Sequence, residues 1–181
     1  MKEIRIHARA GQGAITTASL LGYAYFLKGM YPYAFPHFGA ARMGAAMNAF
    51  VRVDSQPVRL RSQIYEPDYV IIVDATLMRG FNCFSGLKEN GIAVINQRED
   101  TETPKVKSGQ KIFMVPANEM ALKTIGRPLG NTALLGAFCA ATGELDLNNL
   151  LDAINKRFSG KVQEGNLKAA RLGFEFILRG L

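Results

Sequence analysis

At 181 residues, with 48% apolar and 20% charged side chains and a mean hydropathy of +0.02, the chain has the size and composition of one globular domain, which excludes a disordered tail or a coiled coil. Its net charge of +7 leaves nucleic acid, an acidic partner subunit and a small anion open. The basic residues are scattered, densest at 52–61 and 104–111 with no aromatic interleaving, so no nucleic-acid partner is expected.

Residues Lys2 to Ala8 alternate polar and apolar into Gly11-Gln12-Gly13, and Ala14 to Leu27 follows as a helix-forming run closed by Lys28-Gly29, which predicts strand, glycine turn and helix. Met1 to Ile6 therefore reads as a strand instead of a signal peptide, and no stretch reaches the roughly 20 apolar residues of a membrane span. A cytoplasmic location away from membranes is expected. The segment Met30 to Arg42, MYPYAFPHFGAAR, carries two prolines and four aromatics and reads as an irregular, packed loop.

Ala45 to Val53 has strand character, and Asp54-Ser55-Gln56-Pro57 reads as a turn into a second short strand, Val58 to Arg61, giving an early hairpin. Tyr69 to Asp74 is an apolar run ending in an acid, and Gly91 to Asn96 and Lys111 to Val115 repeat the form; such runs suit strands buried on both faces of a parallel sheet. Helical pieces are predicted at Leu77 to Leu87 and Ala117 to Ile125. After Gly130 the pattern is all-helical: Asn131 to Thr142, Asp146 to Phe158 and Gln163 to Arg179 carry apolar residues at three- and four-residue spacing. The expected fold is α/β, a single domain over 1–181 with a largely parallel or mixed central sheet, an early hairpin and a helical C-terminal third.

The chemistry-bearing residues are few. Cys83 and Cys139 have no Cys-x-x-Cys spacing and no adjacent histidine, so neither a metal site nor the four thiolates of an iron–sulfur cluster are expected, and both read as buried hydrophobes. His7 reads as a strand residue bonded by a neighbour, and His37 has no evident nucleophile or carboxylate beside it. No catalytic residue is assigned. Gly11, Gln12 and Gly13 lie where a strand feeds a helix, a place suited to anions. Thr16 stands where a dinucleotide fingerprint needs its third glycine, no acid follows until Asp54, and no cation follows until Lys28, so neither that fingerprint nor a phosphate-cradling Gly-Lys-Ser/Thr loop is complete. The plainer reading is a tight turn with Thr16 or Thr17 capping the helix. Asp74, at the carboxyl end of its strand, is a better functional candidate than Asp68, which reads as a turn acid.

Five blocks carry a resemblance: Ala10-Gly11-Gln12-Gly13-Ala14-Ile15-Thr16-Thr17-Ala18; Phe35 to Gly44, FPHFGAARMG; Phe50-Val51-Arg52; Glu66 to Asp74, EPDYVIIVD; and Gly126 to Phe138, GRPLGNTALLGAF. In this order and spacing, from residue 2 to beyond 170, they resemble the gamma subunit, or the equivalent fused domain, of 2-oxoacid:ferredoxin oxidoreductases. Two departures stand out: Ala10 where many relatives have a further glycine, and Ala40-Ala41 where many have a more charged pair. The resemblance implies a complex that decarboxylates a 2-oxoacid, pyruvate first, then 2-oxoisovalerate or 2-oxoglutarate, and releases an acyl-coenzyme A while reducing ferredoxin. It implies that thiamine diphosphate and the iron–sulfur clusters sit in alpha, beta and ferredoxin-like delta partners, and that this chain binds no cofactor and is inactive alone. The candidate site is Gly11, Gln12, Gly13, Thr16, Thr17 and Arg42, facing the catalytic subunits, with Arg42 either as a fixed cation for coenzyme A phosphate or as an inter-subunit salt bridge. The rival reading is a free-standing nucleotide- or phosphate-binding protein that uses the same turn.

Overall fold

The computed structural model of the chain describes residues 1–37 and 43–180. Among these, six strands form one sheet: β1 (Lys2–Arg9), β2 (Tyr31–His37), β3 (Ala46–Asp54), β4 (Tyr69–Ile72), β5 (Ile92–Asn96) and β6 (Lys111–Val115), in the order β2-β3-β1-β4-β5-β6. β1, β4, β5 and β6 run parallel, and β3 runs antiparallel to both β1 and β2. The sheet is therefore mixed, one of the two forms expected, with its parallel part made by β1 and the apolar runs.

Helices α1 (Ala14–Leu27), α2 (Ala117–Ile125), α3 (Asn131–Thr142), α4 (Leu147–Arg157) and α5 (Gly160–Gly180) bury their apolar sides on one sheet face. Ile4, Ile6, Val51, Ile71, Val94 and Val115 supply that face, and all are fully buried or within 1% of it. α3 and α5 approach backbone to backbone. A Cβ on Gly136 would stand 1.9 Å from the Ala170 carbonyl, and one on Gly173 equally close to that of Ala133, so both positions require glycine for space.

The opposite sheet face is covered by irregular chain. Val70, Ile72, Ala93 and Ile95 pack there against Leu77, Cys83 and Leu87. The helix expected over Leu77 to Leu87 is reduced to one 3-10 turn, Ala75–Arg79, and the chain then keeps an irregular course. Arg5 accounts for this. Its guanidinium is 7% exposed and donates to the carbonyls of Cys83 and Ser85, which a regular helix would have used internally. Arg52, 1% exposed, does the same for the preceding segment. It pairs with Glu3 at 2.7 Å and donates to the carbonyls of Leu60, Ser62 and Gln63. Val58 to Arg61 is consequently an arginine-held loop and not the second strand of a hairpin.

The hairpin partner of β3 is instead β2, the segment expected to be irregular. Tyr33, Phe35 and His37 oppose Arg52, Phe50 and Asn48, so alternate residues form an aromatic row, with Phe35 stacked on Tyr33 and tilted against Phe50 at 5.1 Å between centroids. Pro32 and Pro36 are tolerated because β2 is an edge strand. Four residues apart, both imide nitrogens face the same open side, where no ladder donor is needed.

Candidate functional site

The strand order fixes where a site can form. The chain leaves β1 through α1 toward β2 on one side, and β4 leads on to β5 on the other, so the carboxyl ends of β1 and β4 border a crevice at the point where the order reverses. The Gly11–Gly13 turn and Asp74 both lie there. Gly11 has φ +95° and Gly13, the residue ahead of α1, has φ +78°, left-handed values that favour glycine. A Cβ on Gly11 would also meet the Met43 sulfur at 2.5 Å.

The expected capping is absent in the form foreseen. No side chain caps α1. The buried Thr17 hydroxyl donates back to the Gly13 carbonyl at 2.9 Å and accepts from Asn131 Nδ2 at 2.7 Å. That amide also donates to the Gln12 carbonyl at 2.9 Å. Asn131 is the first residue of α3 and caps nothing; it ties the starts of α1 and α3 together. Two helix N-termini without side-chain caps thus lie side by side, a region of positive backbone potential. Thr16 is half-buried on the first turn of α1.

Gln12 turns inward. Its Oε1 accepts from the Arg9 amide at 2.7 Å, and its Nε2 donates to Asp74 Oδ2 at 2.7 Å. Arg9 Nε pairs with the same oxygen at 3.2 Å, and Arg9 reaches the Thr76 hydroxyl and the Gly44 carbonyl at 3.0 and 3.3 Å. Asp74 Oδ1 accepts from the amide and the hydroxyl of Thr76. Burial works to raise the Asp74 carboxyl, but the Thr76 and Gln12 hydrogen bonds and the Arg9 charge outweigh it and hold the acid below its ordinary value. With both oxygens engaged and its proton lost, Asp74 organises the site and is unsuited to act as a base.

The structure therefore gathers Gly11, Gln12, Gly13 and Thr17 around Asp74 and Asn131. Arg42 lies outside the described residues, as does 38–41 of the FPHFGAARMG block. Sequence reasoning missed Arg9, Thr76, Asn96, Asn118 and Asn131. Asn96, at the end of β5, donates to the Val73 carbonyl and accepts from the Asn118 amide, while Asn118 accepts from the Gly130 amide. Of these only Asn96 carried a signal, a short amide at the end of a parallel strand, where side chains must satisfy loop backbone. A cavity beyond β4 and β5 is lined by Thr76, Arg79, Arg98, Asp100 and Lys105, but Asp100 already pairs with both arginines.

The remaining candidates are structural. His7 accepts from Arg5 Nε at 3.1 Å; burial first, and then the Arg5 charge, push it down to about 4, so it is neutral at pH 7. The His37 ring lies within 3.2 Å of Gln63 Nε2. Burial pushes the thiols of Cys83 and Cys139 up to about 11 and about 12. They belong to cores on opposite sheet faces, so they cannot share a cluster. No group of three metal-ligating side chains occurs among the described residues, and no helix among them is long and apolar enough to cross a membrane.

Known proteins with this sequence pattern are close in length as well as in fold. The chain is 45% identical over 177 residues to pyruvate synthase subunit PorC of Methanothermobacter thermautotrophicus, covering 98% of this chain and 96% of that one. It is also 45% identical over 178 residues to the pyruvate/ketoisovalerate oxidoreductases common subunit gamma of Pyrococcus abyssi, covering 97% and 96%. The crystal structure of pyruvate oxidoreductase subunit PORC from Thermotoga maritima superposes with a TM-score of 0.84 at 37% identity, over 96% of this chain and 95% of that one. Residues 3–176 match the family described as pyruvate ferredoxin/flavodoxin oxidoreductase. With nearly every residue inside that match and the glycine turn, Asp74 strand and Asn131 helix in one folded site, the chain belongs to the pyruvate ferredoxin/flavodoxin oxidoreductase family.

Proposed function

We propose that this chain is the gamma subunit of a 2-oxoacid:ferredoxin oxidoreductase, with pyruvate as its 2-oxoacid, and that it works in the cytoplasm as one domain over residues 1–181. The observation that carries the reading is its 45% identity over 98% of its length to a protein that is itself named a pyruvate synthase subunit. A free-standing nucleotide-binding protein would have no reason to share that length and pattern. The complex converts the 2-oxoacid to an acyl-coenzyme A and reduces ferredoxin; thiamine diphosphate and the clusters are held by alpha, beta and delta partners. This chain contributes a surface: the turn Gly11 to Thr17 and the segment Phe35 to Gly44, facing the catalytic subunits.

Within that surface, the uncapped first turn of α1 offers backbone N–H groups to an anion, and Arg42 is the cation read from the sequence. We place a phosphate of coenzyme A there. Arg42→Ala in the reconstituted complex is expected to raise the KM for coenzyme A without changing that for the 2-oxoacid; an unchanged coenzyme A KM sinks this assignment.

A second reading follows from the Pyrococcus relative, whose name assigns one gamma subunit to pyruvate and ketoisovalerate enzymes. This chain would then serve two catalytic partners. Rebuilding each partner set with and without the chain tests both: pyruvate-dependent ferredoxin reduction must require it, and 2-oxoisovalerate-dependent reduction requires it only if the subunit is shared.

A further inference from the structure

We propose that Arg9 and Asp74 form a positioning latch that holds the Gly11–Gly13 turn and the Met43–Gly44 end of the neighbouring segment as one surface; the inference rests on the functional reading above and concerns how its site keeps its shape. Three segments distant in sequence meet at this pair. Arg9 ends β1, Asp74 follows β4, and Gly44 closes the connection between β2 and β3. From the end of β1 the Arg9 guanidinium reaches the other two: Asp74 Oδ2 at 3.2 Å with the Thr76 hydroxyl beside it, and the Gly44 carbonyl at 3.3 Å. Backbone bonds run alongside, from the Gly44 amide to the Ala10 carbonyl at 3.1 Å and from the Ala10 amide to the Ala45 carbonyl at 2.8 Å.

Asp74 fixes the other half. Its side chain is 8% exposed, and through Gln12 Nε2 at 2.7 Å it sets the direction of the turn's middle residue. Gly11 then lies beside the exposed Met43 side chain, and its φ of +95° is what requires glycine there. Each guanidinium nitrogen of Arg9 and each carboxylate oxygen of Asp74 has a protein partner, and although the Arg9 side chain is 35% exposed, these bonds assign the pair to holding the surface's shape. Their effect reaches the site through the turn and through Gly44, two residues after Arg42. Losing either partner frees the turn from the segment. A displacement of about 1 Å at a reacting site can lower turnover about 100-fold, so an effect far larger than the stability change is expected.

The test uses the full chain with Arg9→Met, Arg9→Lys and Asp74→Asn, and with Ile154→Val, a buried core change on α4, as the control for stability alone. Amide exchange of Ala10 and Gly44 is expected to quicken about tenfold or more in Arg9→Met and Asp74→Asn, less in Arg9→Lys, and not in the control, while β4 and β5 amides keep their protection. In the reconstituted complex, kcat/KM for coenzyme A falls about 10- to 100-fold for the same two variants, with the KM for the 2-oxoacid unchanged and partial rescue by Arg9→Lys. Unchanged exchange at Ala10 and Gly44 overturns the latch. Faster exchange with unchanged kcat/KM, or a loss that only follows melting temperature as the control does, overturns its positioning role. A wild-type chain that fails to restore activity counts against the subunit reading itself, while the exchange rates still decide whether the latch holds the two segments together.

Discussion

Replacing Arg52 with methionine removes one member of a buried ion pair and leaves Glu3 without its partner. Arg52 is 1% exposed and Glu3 15%. Breaking a buried pair from one side destabilises by about 3–5 kcal/mol, and the carbonyls of Leu60, Ser62 and Gln63 lose their donors as well. Water reaches the partly exposed Glu3 and the loop carbonyls, so the low end, about 3 kcal/mol, applies. For a chain of this size that corresponds to a fall in melting temperature of about 6–12 °C. The loss should be local before it is global. With the clamp gone, residues 55–64 come away from the sheet face, and trypsin cuts after the exposed Arg59 and Arg61 under conditions that leave the wild type intact. Arg52→Lys keeps the charge but loses the planar fork that serves Glu3 and three carbonyls together, so it should fall between the two. Urea denaturation with limited proteolysis measures both effects. An Arg52→Met protein within 1 kcal/mol of wild type, and equally resistant to trypsin, would refute the clamp.

Other consequences can be checked on the same protein. Gly136→Ala should destabilise by about 1–3 kcal/mol or more through overpacking, because its Cβ would overlap the Ala170 carbonyl; a urea midpoint equal to wild type would contradict the close α3–α5 contact. His7, pushed down to about 4 from 6.5 by burial and by Arg5, binds its proton more readily unfolded than folded. Its contribution is therefore complete above about pH 6.5 and is lost as pH falls from there toward 4, a loss of order 3 kcal/mol. Urea midpoints across that window should fall more steeply for wild type than for His7→Gln, and parallel curves would refute the shift. Both thiols, raised by burial, should resist a thiol reagent in the native chain and react together on unfolding; a rapidly modified Cys83 or Cys139 would show that its burial is wrong.

The regular elements were legible because their patterns are local. Val70, Ile71 and Ile72 form an apolar run that only a two-sided burial explains, and Ala14 to Leu27 is helix-forming throughout. β2 was missed because its prolines mimic a loop; only knowledge of an edge position reveals that they break no ladder bond. The Leu77 to Leu87 segment has helical spacing, yet Arg5, some 80 residues earlier, takes its carbonyls. The glycine turn was visible in sequence, and Asp74 was singled out from its strand-end position. Their connection was not visible, because Gln12, Arg9 and Asn131 form bonds across separations of 62 to 119 residues that leave no periodic trace. Arg42 itself lies outside the described residues, with 38–41 of its block.

What co-purifies with the native chain tests the central claim most directly. Larger subunits in stable proportion, bound thiamine diphosphate, iron–sulfur absorbance, and coenzyme A-dependent ferredoxin reduction with pyruvate are expected. A colourless, partner-free chain that binds nucleotides on its own would contradict that claim.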